Sequence, residues 1–137
     1  MTTESEETQD SEQTAARRYV VEVMTQYLEE ESDSINHRFV FAYTVSITNQ
    51  GDRAGQLLNR HWIVTDAQGK EEHVRGPGVV GQQPWLEPSE GFRYTSGTVL
   101  TTPFGTMHGS YEFQTRQGER FEVSIPVFAL SVPNIVH

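Results

Sequence analysis

The sequence predicts an all-β protein: an immunoglobulin- or fibronectin III-like β-sandwich of about seven or more antiparallel strands. Three observations predict it. Apolar and polar residues alternate with period two along most of the chain, the pattern of half-buried strands. No segment sustains the 3.6-residue period of an amphipathic helix. Turn-forming clusters recur at roughly 8–12-residue intervals, the spacing of short strands in a sandwich. The Cys…Trp…Cys pattern of true immunoglobulin domains is missing, because the chain has no cysteine. A small barrel is the alternative architecture.

The elements follow in order. Tyr19, Val21 and Val23 alternate with Val20, Glu22 and Met24 in a first strand, which the polar run Glu29-Glu30-Glu31-Ser32-Asp33-Ser34 ends. Phe39, Phe41, Tyr43, Val45 and Ile47 then fall on one face of the clearest strand, with Val40, Ala42, Thr44, Ser46 and Thr48 on the other. Aromatic and β-branched residues in strict alternation fit a pleated surface with one buried side. Asn49-Gln50-Gly51-Asp52 supplies turn residues. Leu58 to Thr65 reads as a third strand, and Asp66-Ala67-Gln68-Gly69 closes it as a hairpin onto Lys70 to Arg75. After a Gly/Pro-rich loop come a short Trp85-Leu86 piece and a strand at Phe92–Ser96. Val99–Thr101 extends that strand past an expected kink at Gly97. Pro103-Phe104-Gly105 is expected to interrupt the pattern again. Tyr111 to Thr115 and Phe121 to Val127 form a final hairpin around Arg116-Gln117-Gly118-Glu119.

The chain of 137 residues fits one domain with a core of its own. Without cysteine it has no disulfide, thiolate nucleophile or thiolate metal site, and its expected compartment is the reducing cytoplasm. No apolar run approaches the ~20 residues that cross a bilayer, and the acidic, polar N-terminus does not read as a signal peptide. Net charge is −9. Glu4, Glu6, Glu7, Asp10 and Glu12 lie in the first fourteen residues with no basic partner, which leaves 14 acidic and 10 basic residues for the rest. Residues 1–16 are therefore expected to be a disordered acidic tail, too poor in apolar groups to offset the entropy of ordering. Residues 17–137 form the β domain. An acidic surface with Arg17-Arg18 as its one basic pair disfavours nucleic acid and anionic membranes.

The loop Arg75-Gly76-Pro77-Gly78-Val79-Val80-Gly81-Gln82-Gln83-Pro84 contains a literal G-x-G-x-x-G. A dinucleotide fingerprint needs a helix immediately after the glycines, whose free N–H groups hold the pyrophosphate, and an acidic residue about 20 positions on. Here Pro84 and Pro88 follow, and proline both breaks a helix and pushes the preceding residue toward extended geometry. No carboxylate lies between Ser96 and Thr106, and no Lys-Ser or Lys-Thr completes a Walker pattern. The segment reads as a shaped loop in which glycines permit positive φ and prolines stiffen the path. Its backbone amides, with Arg75 at one end, can also form an anion-binding nest. Arg75, Gly76, Gly78, Gly81 and Trp85 are the candidate binding residues. Trp85, bounded by Pro84, either stands exposed as an interface anchor or plugs one end of the sandwich. Trp62, mid-strand, belongs in the core.

Five histidines are present. His61 and His73 flank one predicted hairpin turn and are the candidate metal ligands, with Glu71 nearby. They share a face if the pairing centres on residue 67 or 68 and lie on opposite faces if the register slips by one. Neither has the i, i+2 or i, i+4 spacing of a dedicated site, so the divalent cations cobalt and magnesium are expected to bind weakly or not at all, and no cofactor is expected. Catalytic residues are not expected. The carboxylates of Glu29-Glu30-Glu31 and Glu71-Glu72 read as solvated runs, and no nucleophile sits in an activating context.

The glycine loop, followed by Leu86, Pro88, Glu90, Phe92, Tyr94, Ser96 and Gly97, resembles the ApaG family, also called CorD. The likeness continues through Leu100, Thr102-Pro103, Gly105, Met107, Gly109 and Tyr111 to Phe121, Val123, Ile125-Pro126, Phe128 and Leu130, so it spans about residues 17–132. Ser89 departs from it, standing where a Pro-Gly-Glu turn is expected. The resemblance implies a fibronectin III-like sandwich and a link with cobalt resistance and magnesium efflux. It also implies protein–protein recognition, since similar domains are appended to eukaryotic F-box and polymerase-delta-interacting proteins. It brings no catalytic residues. Three functions result: a non-enzymatic protein-interaction module with an unidentified protein partner, a cobalt- or magnesium-binding protein, and a phosphate or pyrophosphate-nucleotide binder acting through Gly76–Gly81.

Overall fold

A computed structural model describes residue 15 and residues 18–133. The acidic tail expected at residues 1–16 lies outside the described residues, apart from Ala15. Among the described residues eight strands make two antiparallel sheets: β1 (Tyr19–Tyr27), β2 (Phe39–Asn49), β3 (Gly55–Asp66), β4 (Glu71–Pro77), β5 (Trp85–Leu86), β6 (Gly91–Leu100), β7 (Phe104–Thr115) and β8 (Arg120–Ser131). One sheet has the order β1-β2-β6, and the other β4-β3-β7-β8, with β5 also paired to β3. The immunoglobulin/fibronectin III-like sandwich read from period-two patterning is the observed architecture. The acidic run Glu29–Glu31 forms one short 3₁₀ turn.

The alternation on β2 does what its residues dictate. Phe39, Phe41, Tyr43, Val45 and Ile47 are all buried, and they meet Leu57, Trp62, Tyr111, Phe113 and Val123 from the facing sheet. Tyr43 packs edge-on against Trp62 with centroids 5.2 Å apart. Tyr19 packs against Phe113 at 4.7 Å and Phe121 at 5.5 Å. The hydroxyls of Tyr94 on β6 and Tyr111 on β7 hydrogen-bond across the core. Burial pushes both phenols far above their ordinary range, so both remain neutral donors and acceptors. Asn49, fully buried at the end of β2, ties three segments together. Its amide donates to the carbonyls of Arg53 (2.8 Å) and Leu86 (3.0 Å), and its Oδ1 accepts from the Gly51 N–H at 2.9 Å.

Several boundaries differ from the sequence reading: β3 begins at Gly55 rather than Leu58, and β8 runs on to Ser131 rather than ending at Val127. β6 runs through Gly97 without a kink, in unbroken register with β2 from Phe39↔Leu100 to Thr48↔Gly91. β7 begins at Phe104 rather than Tyr111, so Pro103 precedes the strand instead of interrupting one. The low apolar content at the start of β7 has a packing reason. Gly109 lies against β3 so closely that a Cβ there would stand 2.0 Å from the His61 carbonyl oxygen. Backbone approach, not side-chain burial, fills that position.

β3 carries a bulge. Its register with β7 shifts between Leu57 and Asn59, leaving Leu58 unpaired in the ladder. The glycine loop closes over this irregularity. The Leu58 carbonyl accepts the Gly78 N–H at 2.8 Å and the Gln83 side-chain amide at 2.9 Å, while the Leu57 N–H donates to the Pro84 carbonyl at 3.0 Å.

Two substitutions test these backbone constraints. Gly78 adopts φ +61, and a Cβ there would meet the Gln82 carbonyl oxygen at 2.3 Å. Gly78→Val is expected to destabilise the protein by at least ~2 kcal/mol in urea unfolding, from left-handed strain and that clash together. Ser89, where the family resemblance leads one to expect glycine, sits at φ 68. Ser89→Gly removes ~1–2 kcal/mol of left-handed strain against ~0.4–1 kcal/mol of added unfolded-state entropy. The expected net gain is about 0.5 kcal/mol, and a melting temperature that falls instead would contradict the assignment.

Candidate functional site: the outer face and edge of the five-stranded sheet

The hairpin of β3 and β4 pairs His61 with Arg75 and Ile63 with His73. The ladder centres on residue 68, which puts both histidines on one face. That face points away from the core, because the neighbouring Trp62 is buried. The two imidazoles lie diagonally across the strands, with His61 Nε2 2.9 Å from His73 Nδ1 and ring centroids 5.1 Å apart. On the far side of the His73 ring, Nε2 stands 3.7 Å from a Glu71 carboxylate oxygen. With the His73 proton on Nε2, Nδ1 accepts the His61 Nε2–H; the opposite tautomers reverse the direction of the bond. Partial burial, then the Arg75 guanidinium and His73, hold the His61 imidazole below its ordinary range.

Beside this pair is an open groove of about 530 Å³, lined by Asn59, Arg60, Arg75 and Pro77 on one side and Ser110, Glu112 and Glu122 on the other. Arg60 is not free to serve a ligand in it. Its guanidinium donates to the carbonyls of Pro77 and Gly78, at 3.0 Å each. Arg75, on exposed β4, presents its charge to the groove.

The glycine loop has no helix after it. Val79 and Gln82 exchange two backbone hydrogen bonds of 2.9 Å, so Val80 and Gly81 are the central pair of a tight turn. Their φ values of 42 and 78 are the two positive angles of a type I′ turn. Val79 is fully buried and anchors the turn in the core, while Val80 projects from the tip, 53 % exposed. The amides of Gly78, Val79 and Gln82 are all spent on protein carbonyls, so they do not converge as free anion donors.

Trp85 pairs with Gln56 in the short β5–β3 ladder, and Gln56 in turn pairs with Gln114 of β7. Of the two alternatives for Trp85, the structure takes the exposed one: the indole is 43 % exposed. The Arg116 guanidinium lies over its ring at 5.4 Å and also forms an ion pair with Glu87. His61 pairs with Ser110 of β7, an even number of residues from Gln114 on an alternating strand. The proposed metal ligands and Trp85 therefore share the outer face of one sheet. Sequence reasoning missed Arg116, whose place over the indole depends on a turn 31 residues downstream folding back.

The described chain matches the family model for the ApaG domain over residues 29–115. It is 50 % identical over 117 residues to Protein ApaG of Acidithiobacillus ferrooxidans, covering 85 % of this chain and 92 % of the relative. The chain belongs to the ApaG family. Protein ApaG of Shewanella frigidimarina is likewise 50 % identical over 115 residues, covering 84 % of this chain and 91 % of that relative. A crystal structure of the putative ApaA protein from Bordetella pertussis superimposes with a TM-score of 0.83 at 49 % identity, covering 85 % of this chain and 95 % of that one. The two-sheet core and the glycine loop thus belong to an ApaG-type domain. Among the described residues no helix is long and apolar enough to cross a membrane.

The depressed His61 imidazole has a measurable consequence. A folded-state value below the unfolded ~6.5 means that neutral His61 stabilises the fold above pH ~6.5 and that this contribution is lost as pH falls through the lower folded value. NMR titration of the ring C–H signals is expected to show His61 titrating below an ordinary histidine. His73→Ala should move it upward. An unchanged midpoint would mean that the neighbouring ring does not act on it.

Proposed function

We propose that this ApaG-family protein is a non-enzymatic recognition module that binds a protein partner through the tip of the glycine loop and the adjoining Trp85. The observation that carries this reading is Val80. A β-branched residue at φ 42 is a backbone outlier that costs on the order of 1–3 kcal/mol. Its side chain is more exposed than buried, so packing within the chain does not offset that cost. Strain of this kind concentrates where a surface is held ready for a ligand. The tip is rigid, anchored by buried Val79 and by the hydrogen bonds to β3, so presenting an apolar side chain there loses little entropy on binding. Trp85, steadied by Arg116, supplies the aromatic and arginine chemistry that dominates interface hot spots.

On this reading the link with cobalt resistance and magnesium efflux implied by the family is indirect, exerted in the cytoplasm through the bound partner. The glycines serve loop shape rather than phosphate chemistry, which agrees with the internal use of the loop amides.

Val80→Asn separates stability from recognition. Asn-Gly is the preferred pair for a type I′ turn, so this variant is expected to be about 1 kcal/mol more stable than wild type. It is also expected to lose the proteins cross-linked by wild type in lysate of its own host, as is Trp85→Ala. Met24→Gln, which alters an exposed residue of the other sheet, should retain them. Identical capture by all four proteins would rule out the loop tip as the recognition surface.

A further inference from the structure

We infer that His61 and His73 form a chelating site for one imidazole-preferring divalent transition ion, such as nickel, copper or zinc, with His61 Nε2 and His73 Nδ1 as the ligand atoms. The spacing of twelve residues in sequence gives no sign of a ligand pair. The hairpin register creates one, because diagonal positions on an antiparallel ladder bring long side chains together. Two nitrogens bound at ~2.1 Å to one ion lie ~3.0 Å apart at cis-octahedral positions and ~3.4 Å apart in a tetrahedron. The two nitrogens here are 2.9 Å apart. Rotation of the rings, together with a shift of the His61 proton from Nε2 to Nδ1, turns both lone pairs toward a shared ion, and aromatic χ2 torsions are broad.

The surroundings match what such a site requires. Glu71 lies 3.7 Å from His73 Nε2, the nitrogen that would not bind metal. A carboxylate on that side of the ring attracts the Nε2–H electrostatically and so favours the tautomer that presents Nδ1. The site faces the open groove, so an ion has access from solvent. On binding, the N–H···N hydrogen bond breaks. The His61 Nε2 proton is given up to solvent while Nδ1 of the same ring takes one up, so the ring stays neutral and both nitrogens donate their lone pairs to the metal. Among the described residues no third His, Asp or Glu completes a cluster, so water fills the remaining positions. A two-nitrogen donor set follows the order in which nickel and copper bind more tightly than lighter first-row ions. Magnesium, which demands oxygen ligands, has no claim on it.

Nickel calorimetry on the untagged full-length chain, with magnesium as control, tests the site. Wild type is expected to bind one nickel ion. His61→Asn and His73→Asn are each expected to weaken it at least ~10-fold, while His37→Asn and magnesium show no effect. Paramagnetic nickel should broaden the His61 and His73 ring signals before any others. Equal nickel affinity in wild type and the His61→Asn/His73→Asn double variant, or first broadening at His37, His108 or His137, would overturn the proposal. Val80→Asn leaves this site intact, so loss of partner binding and loss of nickel binding fail independently.

Discussion

Much of this structure depends on the bulge at Leu58 and on the loop that holds it. β3 is the strand that pairs with β4, β5 and β7, so any change in its register moves three neighbours. Leu57 and His61 are four residues apart and would share a face on a regular strand. The extra residue at Leu58 separates them, turning Leu57 into the core and His61 outward. A bulge leaves a carbonyl without a ladder partner, and an unsatisfied buried carbonyl is costly. The Gly78 N–H and the Gln83 side chain meet that need together. The glycine-rich segment, which looks like a phosphate cradle when read as letters, spends the amides of Gly78, Val79 and Gln82 on the protein's own backbone.

The core is organised around the same strand. Trp62 sits between Tyr43 and Phe128 in edge-on contacts of 5.2 and 5.8 Å. Tyr94 and Tyr111 satisfy one another's hydroxyls at a depth where either alone would be a stranded polar group. That bond joins the two sheets and fixes how they stack, a directional constraint that apolar packing alone does not impose. The outer face of the five-stranded sheet is built on this interior, and its backbone sets where the histidine pair and Trp85 stand.

The edges of the sheets show how the surface is managed. β4 is an exposed edge strand whose residues include Glu71, Glu72 and Arg75, charges that discourage pairing with another chain. β8, the opposite edge, contains Pro126 beside a second register shift between Met107 and Gly109 of β7. Exposed apolar side chains are interspersed among these groups: Val74 on β4, Val127 on β8, and Val80 and Trp85 at the loop.

The sequence by itself determined the all-β class, the strand-by-strand burial of β2, the hairpin between β3 and β4, and the family, because these rest on local periodicity, turn chemistry and specific residue spacings. It also sufficed to reject a helix after the glycines, since Pro84 and Pro88 forbid one whatever the fold. Which face His61 and His73 would share was legible only as a condition on register. Only the tertiary structure decided that condition, because register is set by the bulge at Leu58, and the bulge is stabilised by a loop 20 or so residues further along the chain. The early start of β7 was hidden for a related reason: Gly105 and Gly109 answer to the closeness of the β3 backbone, a distance no local pattern encodes. The Arg116–Trp85 contact likewise exists only once two distant turns meet at one end of the sandwich.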